Sequence, residues 1–117
     1  MRNDKDNIIV QLTFDLALDV ISFTEELRAK HKYEMASQIF RCGTSIGANS
    51  REAQNAESRA DFIHKFKIAA KEADELEYWL DLSEKSEYYP KPPVQISDRL
   101  KSVQLVLNKI ISSSKKP

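Results

Sequence analysis

Turn-forming residues are scarce in this chain, with two glycines and four prolines among 117 residues. Gly43 and Gly47 both fall inside one helical pattern, and Pro90, Pro92 and Pro93 crowd into four consecutive positions. A sandwich or barrel requires turn signals about every eight to twelve residues, so an all-β fold is excluded. A glycine-rich phosphate loop is excluded for the same reason. The length predicts one domain, expected to bury roughly two-thirds of its extended surface, enough for a core without disulfides or metal. Hydrophobic residues make up 41% of the chain against 31% charged, which argues against disorder. The lone cysteine, Cys42, forbids an internal disulfide and suits a reducing compartment. No apolar run approaches the roughly 18 residues of a membrane span, and Met1-Arg2-Asn3-Asp4-Lys5-Asp6 is not a signal peptide. The expectation is a soluble cytoplasmic chain without a membrane partner.

Apolar spacing of three and four predicts four helices. The first, over residues 7–30, carries Ile9, Leu12, Leu16, Val20, Phe23 and Leu27, with Lys30, His31 and Lys32 at its negative end. The second, over 34–54, aligns Met35, Ile39, Cys42, Ile46 and Ala53. Ser58-x-x-Asp61 resembles a capping box and starts the third, which runs to 85 with Phe62, Phe66, Ala69, Ala73, Leu76 and Leu80 inside. The run Tyr88-Tyr89-Pro90-Lys91-Pro92-Pro93 cannot continue a helix, because proline lacks the donor and clashes with the preceding turn. The fourth, over 94–112, shows Ile96, Leu100, Val103, Leu107 and Ile110. Four amphipathic helices with short links predict an all-α, antiparallel up-down-up-down four-helix bundle. One bundle over 7–112 is expected, with residues 1–6 and 113–117 fraying.

The first helix has more apolar surface than one buried side requires. Val10, Phe14, Leu18 and Ile21 form a second row nearly opposite the main stripe, with Asp15, Asp19 and Glu26 in the polar sector between. The third helix echoes it with Ile68, Trp79 and Leu82, alongside Glu72 and Glu75. An exposed apolar row of this kind marks an interface, so these seven residues are the candidates for self-association. The alternative places the first helix at the centre, covered on both sides by its own chain. Gly43-x-x-x-Gly47, on the side of Ala36 and Phe40, is expected to form a notch for close backbone packing, since each glycine costs about 1 kcal/mol in a helix interior.

Catalytic and metal-binding patterns are not found. A carboxylate-bridged metal site in a bundle takes two Glu-x-x-His pairs and two further glutamates. The chain offers Asp61-Phe62-Ile63-His64 as one approximation and no second, and Arg28 stands where His31 would need an acid. Cys42 lies in a core stripe and reads as an inert thiol. Glu72 and Glu75 share a helix face; a structural ion pair with an arginine is the expectation over an acid/base pair. No cofactor, metal or small-molecule substrate is implied.

The zero net charge conceals an uneven distribution. Residues 91–117 carry a net +5 and residues 58–90 a net −3. Arg99, Lys101, Lys109, Lys115 and Lys116 are therefore candidate contacts to nucleic acid phosphates. The competing reading is neutralisation between adjacent antiparallel helices, with the basic strip as a solvated face.

Ser45-Ile46-Gly47-Ala48-Asn49 leading to Arg51-Glu52-Ala53, then Ser58, Asp61-Phe62-Ile63 and Lys65, form one recognisable block. Lys71-Glu72-Ala73 leading to Glu75 and Tyr78-Trp79-Leu80 form another. Together they resemble the four-helix-bundle family that includes proteins encoded in intervening sequences of bacterial 23S ribosomal RNA genes. The resemblance is strong over the second and third helices and extends by pattern over nearly the whole chain. It implies an antiparallel bundle assembling into a homopentamer, a ring built on a heterologous interface that closes. It implies no enzymatic activity and supplies no catalytic residues. Gly47, Asn49, Glu52, Glu72, Glu75 and Trp79 match motif positions, whereas Ser50 stands where the family usually has an apolar residue. That departure implies a site that is less buried or is hydrogen-bonded locally. Related accessory proteins of diversity-generating retroelements are strongly basic and bind nucleic acid with a reverse transcriptase, whereas this chain is neutral. The sequence reading is thus a non-enzymatic, self-assembling scaffold or adaptor, with a nucleic-acid-binding accessory as the alternative.

Overall fold

The computed structural model describes residues 4–115. They form α1 (Asp4–Ala29), α2 (Tyr33–Ala53), α3 (Arg59–Lys85) and α4 (Val94–Ser114), with no strand among the described residues. Each helix packs against its neighbours in sequence, and α4 closes back onto α1, leaving α1 and α3 on one diagonal and α2 and α4 on the other. Register shows the directions. Val20 and Thr13 of α1 face Gly43 and Gly47 of α2. Arg41 and Glu52 of α2 reach Glu72 and Lys65 of α3. Arg59 and Glu77 of α3 meet Ser114 and Gln104 of α4. Asp19 and Asp15 of α1 reach Gln95 and Arg99 near the start of α4. In every pair one numbering rises as the other falls, so the bundle is antiparallel and up-down-up-down, 48 × 20 × 19 Å in extent.

The core is built from the four stripes read in the sequence. Phe23, Leu16 and Val20 of α1, Ile39 and Ile46 of α2, Phe66 and Leu76 of α3, and Val103 and Leu107 of α4 are at most 1% exposed. Leu12 and Phe62 are only half-buried. Leu12 sits on the flank of α1 that faces Val94, Gln95 and Arg99 across an open hollow. Phe62 lies in the first turn of α3, edge-on to Phe66 with ring centroids 4.9 Å apart.

Three reversals are made without glycine. After α1, His31 takes the left-handed conformation at φ 61°. Its amide donates to the Arg28 carbonyl and that of Lys32 to the Leu27 carbonyl, closing a Schellman motif on the last turn. Before α3, the Ser58 hydroxyl accepts from the Asp61 amide at 3.0 Å, while the Asp61 carboxylate accepts from the Glu57 amide at 3.2 Å. The capping box is therefore present, with its return arm displaced by one residue. Between α3 and α4, Pro93 in extended backbone precedes the first residue of α4. The helices outrun the sequence pattern: residues 4–6 and 113–114, expected to fray, are helical, while 1–3 and 116–117 lie outside the described residues.

Gly43 and Gly47 both face α1 but meet it differently. A Cβ on Gly43 would stand 2.7 and 2.8 Å from the two Cγ atoms of Val20, whereas one on Gly47 would stand 3.4 Å from Thr13. Val20 is fully buried and β-branched, so it has no rotamer into which to retreat. One turn further on, Ser50 is fully buried and its hydroxyl donates to the Ile46 carbonyl at 2.8 Å. Of the two expectations for this departure, local hydrogen bonding holds and reduced burial does not. Cys42 is also fully buried, its thiol donating to the Ile39 carbonyl. Burial pushes its pKa up from 9.0 to about 12, with the carboxylate of Glu75 the next contributor.

Two predictions follow from these positions. Gly47→Ala should gain the helix propensity of alanine, about 1 kcal/mol. Gly43→Ala should lose about 1 kcal/mol net, because overpacking costs about 1–3 kcal/mol against the same gain. Urea midpoints of the two variants on opposite sides of the parent check this. For Cys42, the folded state keeps a proton that the unfolded chain releases above pH 9. The stability present below that pH therefore falls as pH rises toward 12, by about 1 kcal/mol per pH unit. The difference in urea midpoint between parent and Cys42→Ala, followed from pH 8 to 11, should shrink accordingly.

Candidate functional site

The apolar row on α1 is left uncovered by the bundle. α1 packs only on α2 and α4, so the reading that placed it centrally, covered on both sides, does not hold. Val10 is half-buried, whereas Phe14 is 51%, Leu18 50% and Ile21 39% exposed. Asp15 and Asp19 mark the α4 side of the helix through Arg99, and Thr13 and Val20 mark the α2 side through the glycines. On the helical wheel the row falls outside both, leaning toward α2. Phe40, 39% exposed on α2, lies in register with the end of this row and carries the Arg28 guanidinium 5.5 Å above its ring. The sequence reading assigned Phe40 to the glycine side of α2 but not to this surface; the antiparallel register is what brings it there.

The α3 candidates form a separate surface. Ile68 and Trp79 are half-buried and Leu82 is 39% exposed. They share the flank of α3 that faces α2, where Arg41 bridges Glu72 at 3.1 Å and also binds Glu75. The Trp79 indole Nε1 donates to the same Glu75 oxygen at 3.1 Å. Glu72 and Glu75 are thus held in an ion pair with an arginine of the neighbouring helix. His64 is exposed and two turns, about 12 Å, back along α3, so the three groups do not converge. The other matched motif positions are likewise engaged within the fold. Asn49 donates to the Ser45 carbonyl at 2.9 Å, and Glu52 accepts from Lys65 at 2.9 Å. That hydrogen bond holds the Lys65 ammonium above its ordinary pKa.

The basic candidates on α4 divide. Arg99 is spent within the chain: its Nε donates to Asp19 at 2.7 Å and its Nη1 stands 3.7 Å from Asp15. Lys101 is exposed but lines a groove that it shares with Glu77 and Asp81 of α3. Lys109 and Lys115 are exposed, and Lys116 lies outside the described residues. The neutralisation expected between neighbouring helices occurs, but Arg99 finds its acids on α1 rather than on acidic α3. No group of His, Cys, Asp and Glu side chains capable of holding a metal ion occurs among the described residues. No described helix is long and apolar enough to cross a membrane.

Comparison with known proteins agrees with this architecture. A crystal structure of a protein of unknown function from the S23 ribosomal protein family of Bacteroides thetaiotaomicron VPI-5482 superposes with a TM-score of 0.86. It is 41% identical, and the match covers 92% of this chain and 98% of that one. No curated protein matches the chain. Residues 5–109 match the family described as 23S rRNA-intervening sequence protein. With nearly all four helices inside that match, the chain belongs to the 23S rRNA-intervening sequence protein family.

Proposed function

We propose that the protein is a non-enzymatic scaffold or adaptor that assembles with copies of itself into a homopentameric ring in the bacterial cytoplasm. The observation that carries this reading is the row Phe14, Leu18 and Ile21, each between 39% and 51% exposed on a helix whose core side is already filled. Burying a fully exposed large apolar side chain yields about 1.5–3 kcal/mol; about half of that is open to each of these half-exposed side chains, and three in one row favour a second chain over solvent. The ring rather than a two-fold pair is supported by the placement of the patches. α1 and α3 do not pack on each other, so the α1 row and the Ile68, Trp79 and Leu82 flank of α3 are two separate surfaces of one chain. A head-to-tail interface uses two different surfaces of one chain in this manner.

The ion pairs favour this reading over nucleic-acid binding. Arg99 is neutralised, and Lys101 faces acids across its groove, so α4 presents separated lysines rather than a continuous basic face. Light scattering at micromolar concentration should report about five chains. Phe14→Asp combined with Leu18→Asp should reduce the mass to one chain while the helical circular dichroism persists. A one-chain mass for the parent protein overturns the proposal. RNA or DNA affinity that falls steeply with salt and is abolished by Lys101→Glu with Lys109→Glu would establish the alternative instead.

A further inference from the structure

Two apolar surfaces of the bundle stay wholly or partly open, and the packing order sets how they stand to each other. The row Phe14, Leu18 and Ile21 leans toward α2 from one side, and the flank Ile68, Trp79 and Leu82 borders α2 from the other. They therefore lie on neighbouring sides of a four-sided bundle, at roughly a right angle. Tyr78, 57% exposed and packed edge-on against Trp79, widens the flank. On α4 the most exposed apolar residues, Val94 and Leu105, are separated by Asp98 and Lys101 and form no comparable row.

A closed ring carries every copy at one height, so the two surfaces that meet in it must overlap along the bundle axis. Val20 faces Gly43, and Arg41, two positions away on α2, reaches Glu72 and Glu75. Val20 and Glu72 thus stand nearly level, and α1 and α3 run in the same direction. Phe14 comes six positions before Val20 and Ile68 four before Glu72. At about 1.5 Å per residue their heights differ by about 3 Å. The rest of the row, up to Ile21, falls within the span that ends at Leu82. Charge favours the same match. α1 carries six acids against two bases. Lys67, Lys71 and Lys85 stand exposed on the outer side of α3, in no ion pair among the described residues.

We propose that the α1 row of one copy seats on the Ile68, Trp79 and Leu82 flank of the next, with the two helices parallel and level. A two-fold pair of α1 rows would leave the α3 flank uncovered, whereas the α1-to-α3 contact covers both surfaces of every copy. Faces at roughly a right angle close a ring after about four or five copies. Because both faces border α2, the outer side of α2, with the exposed Ala48 and Arg51, turns toward the centre of the ring. The pairing rests on the ring reading and names the surfaces that meet in it.

Two variants divide the contact. Phe14→Asp with Leu18→Asp spoils the row and keeps the flank, while Tyr78→Asp with Leu82→Asp spoils the flank and keeps the row; all four positions are exposed. Each variant alone should show a one-chain mass in light scattering, with its helical circular dichroism retained. Mixed in equal amounts at up to about 0.5 mM, they hold one intact contact between them and should give a two-chain mass and nothing larger. Trp79 is the chain's one tryptophan. With Trp79→Phe added to the flank variant, emission from the mixture comes only from the intact flank of the row variant. It should move to shorter wavelength as the α1 row covers that flank. A flank variant that keeps the parent's mass, a mixture that stays at one chain, or an unmoved Trp79 emission would each overturn the pairing. The parent's own mass reports the ring separately, so five chains beside an unresponsive mixture would leave the ring standing without this contact.

Discussion

The approach of α2 to α1 at Gly43 sets the rest of the bundle. With no Cβ at that position, the Val20 methyl groups fill the space one would occupy, and the two helices lie as close as backbone and valine allow. That contact fixes the rotation of α1 about its own axis. Once Val20 and Thr13 face α2, Asp15 and Asp19 must face α4, and Phe14, Leu18 and Ile21 have nowhere to point but outward. The exposed row thus follows from the notch and is no defect of packing. It remains outside because the inside is already occupied.

Charge is handled locally within the same frame. Each polar cluster couples two adjacent helices: Arg99 with the α1 aspartates, Arg41 with the α3 glutamates, and Lys65 with Glu52 of α2. Partly exposed pairs of this kind contribute little to stability individually. Their larger effect is on register, since each is satisfied in only one axial alignment of its two helices. Four basic side chains, Arg28, Arg41, Lys65 and Arg99, are committed to ion pairs in this way, while the α1 row stays apolar and exposed.

The bundle was legible in the sequence because every core stripe keeps helical spacing, a capping box opens α3 and a proline run separates α3 from α4. Cys42, Ile46 and Leu76 needed no tertiary information to be placed inside. The row on α1 was legible for the same reason, as a second periodicity on one helix. Phe40 was not, because its membership of that surface depends on which stretch of α1 lies opposite it, and register is a property of two helices. The destination of Arg99 was similarly hidden: net charge by segment pointed to acidic α3, whereas the rotation of α4 presents the guanidinium to α1. A hollow between α2 and α3 brings Glu34 beside Tyr89, residues more than fifty positions apart in sequence, and only the fold brings them together.

The reversals that dispense with glycine also act where no contact records them. A chain whose links contain no glycine, and whose last link contains three prolines, has fewer conformations open to it when unfolded. Each proline compatible with its folded backbone reduces that freedom by an amount equivalent to about 0.4–1 kcal/mol. Pro93, at φ −58° and ψ 141°, is held near the angle its ring already imposes. Part of this protein's stability therefore resides in the denatured ensemble, as disorder that the unfolded chain is unable to gain.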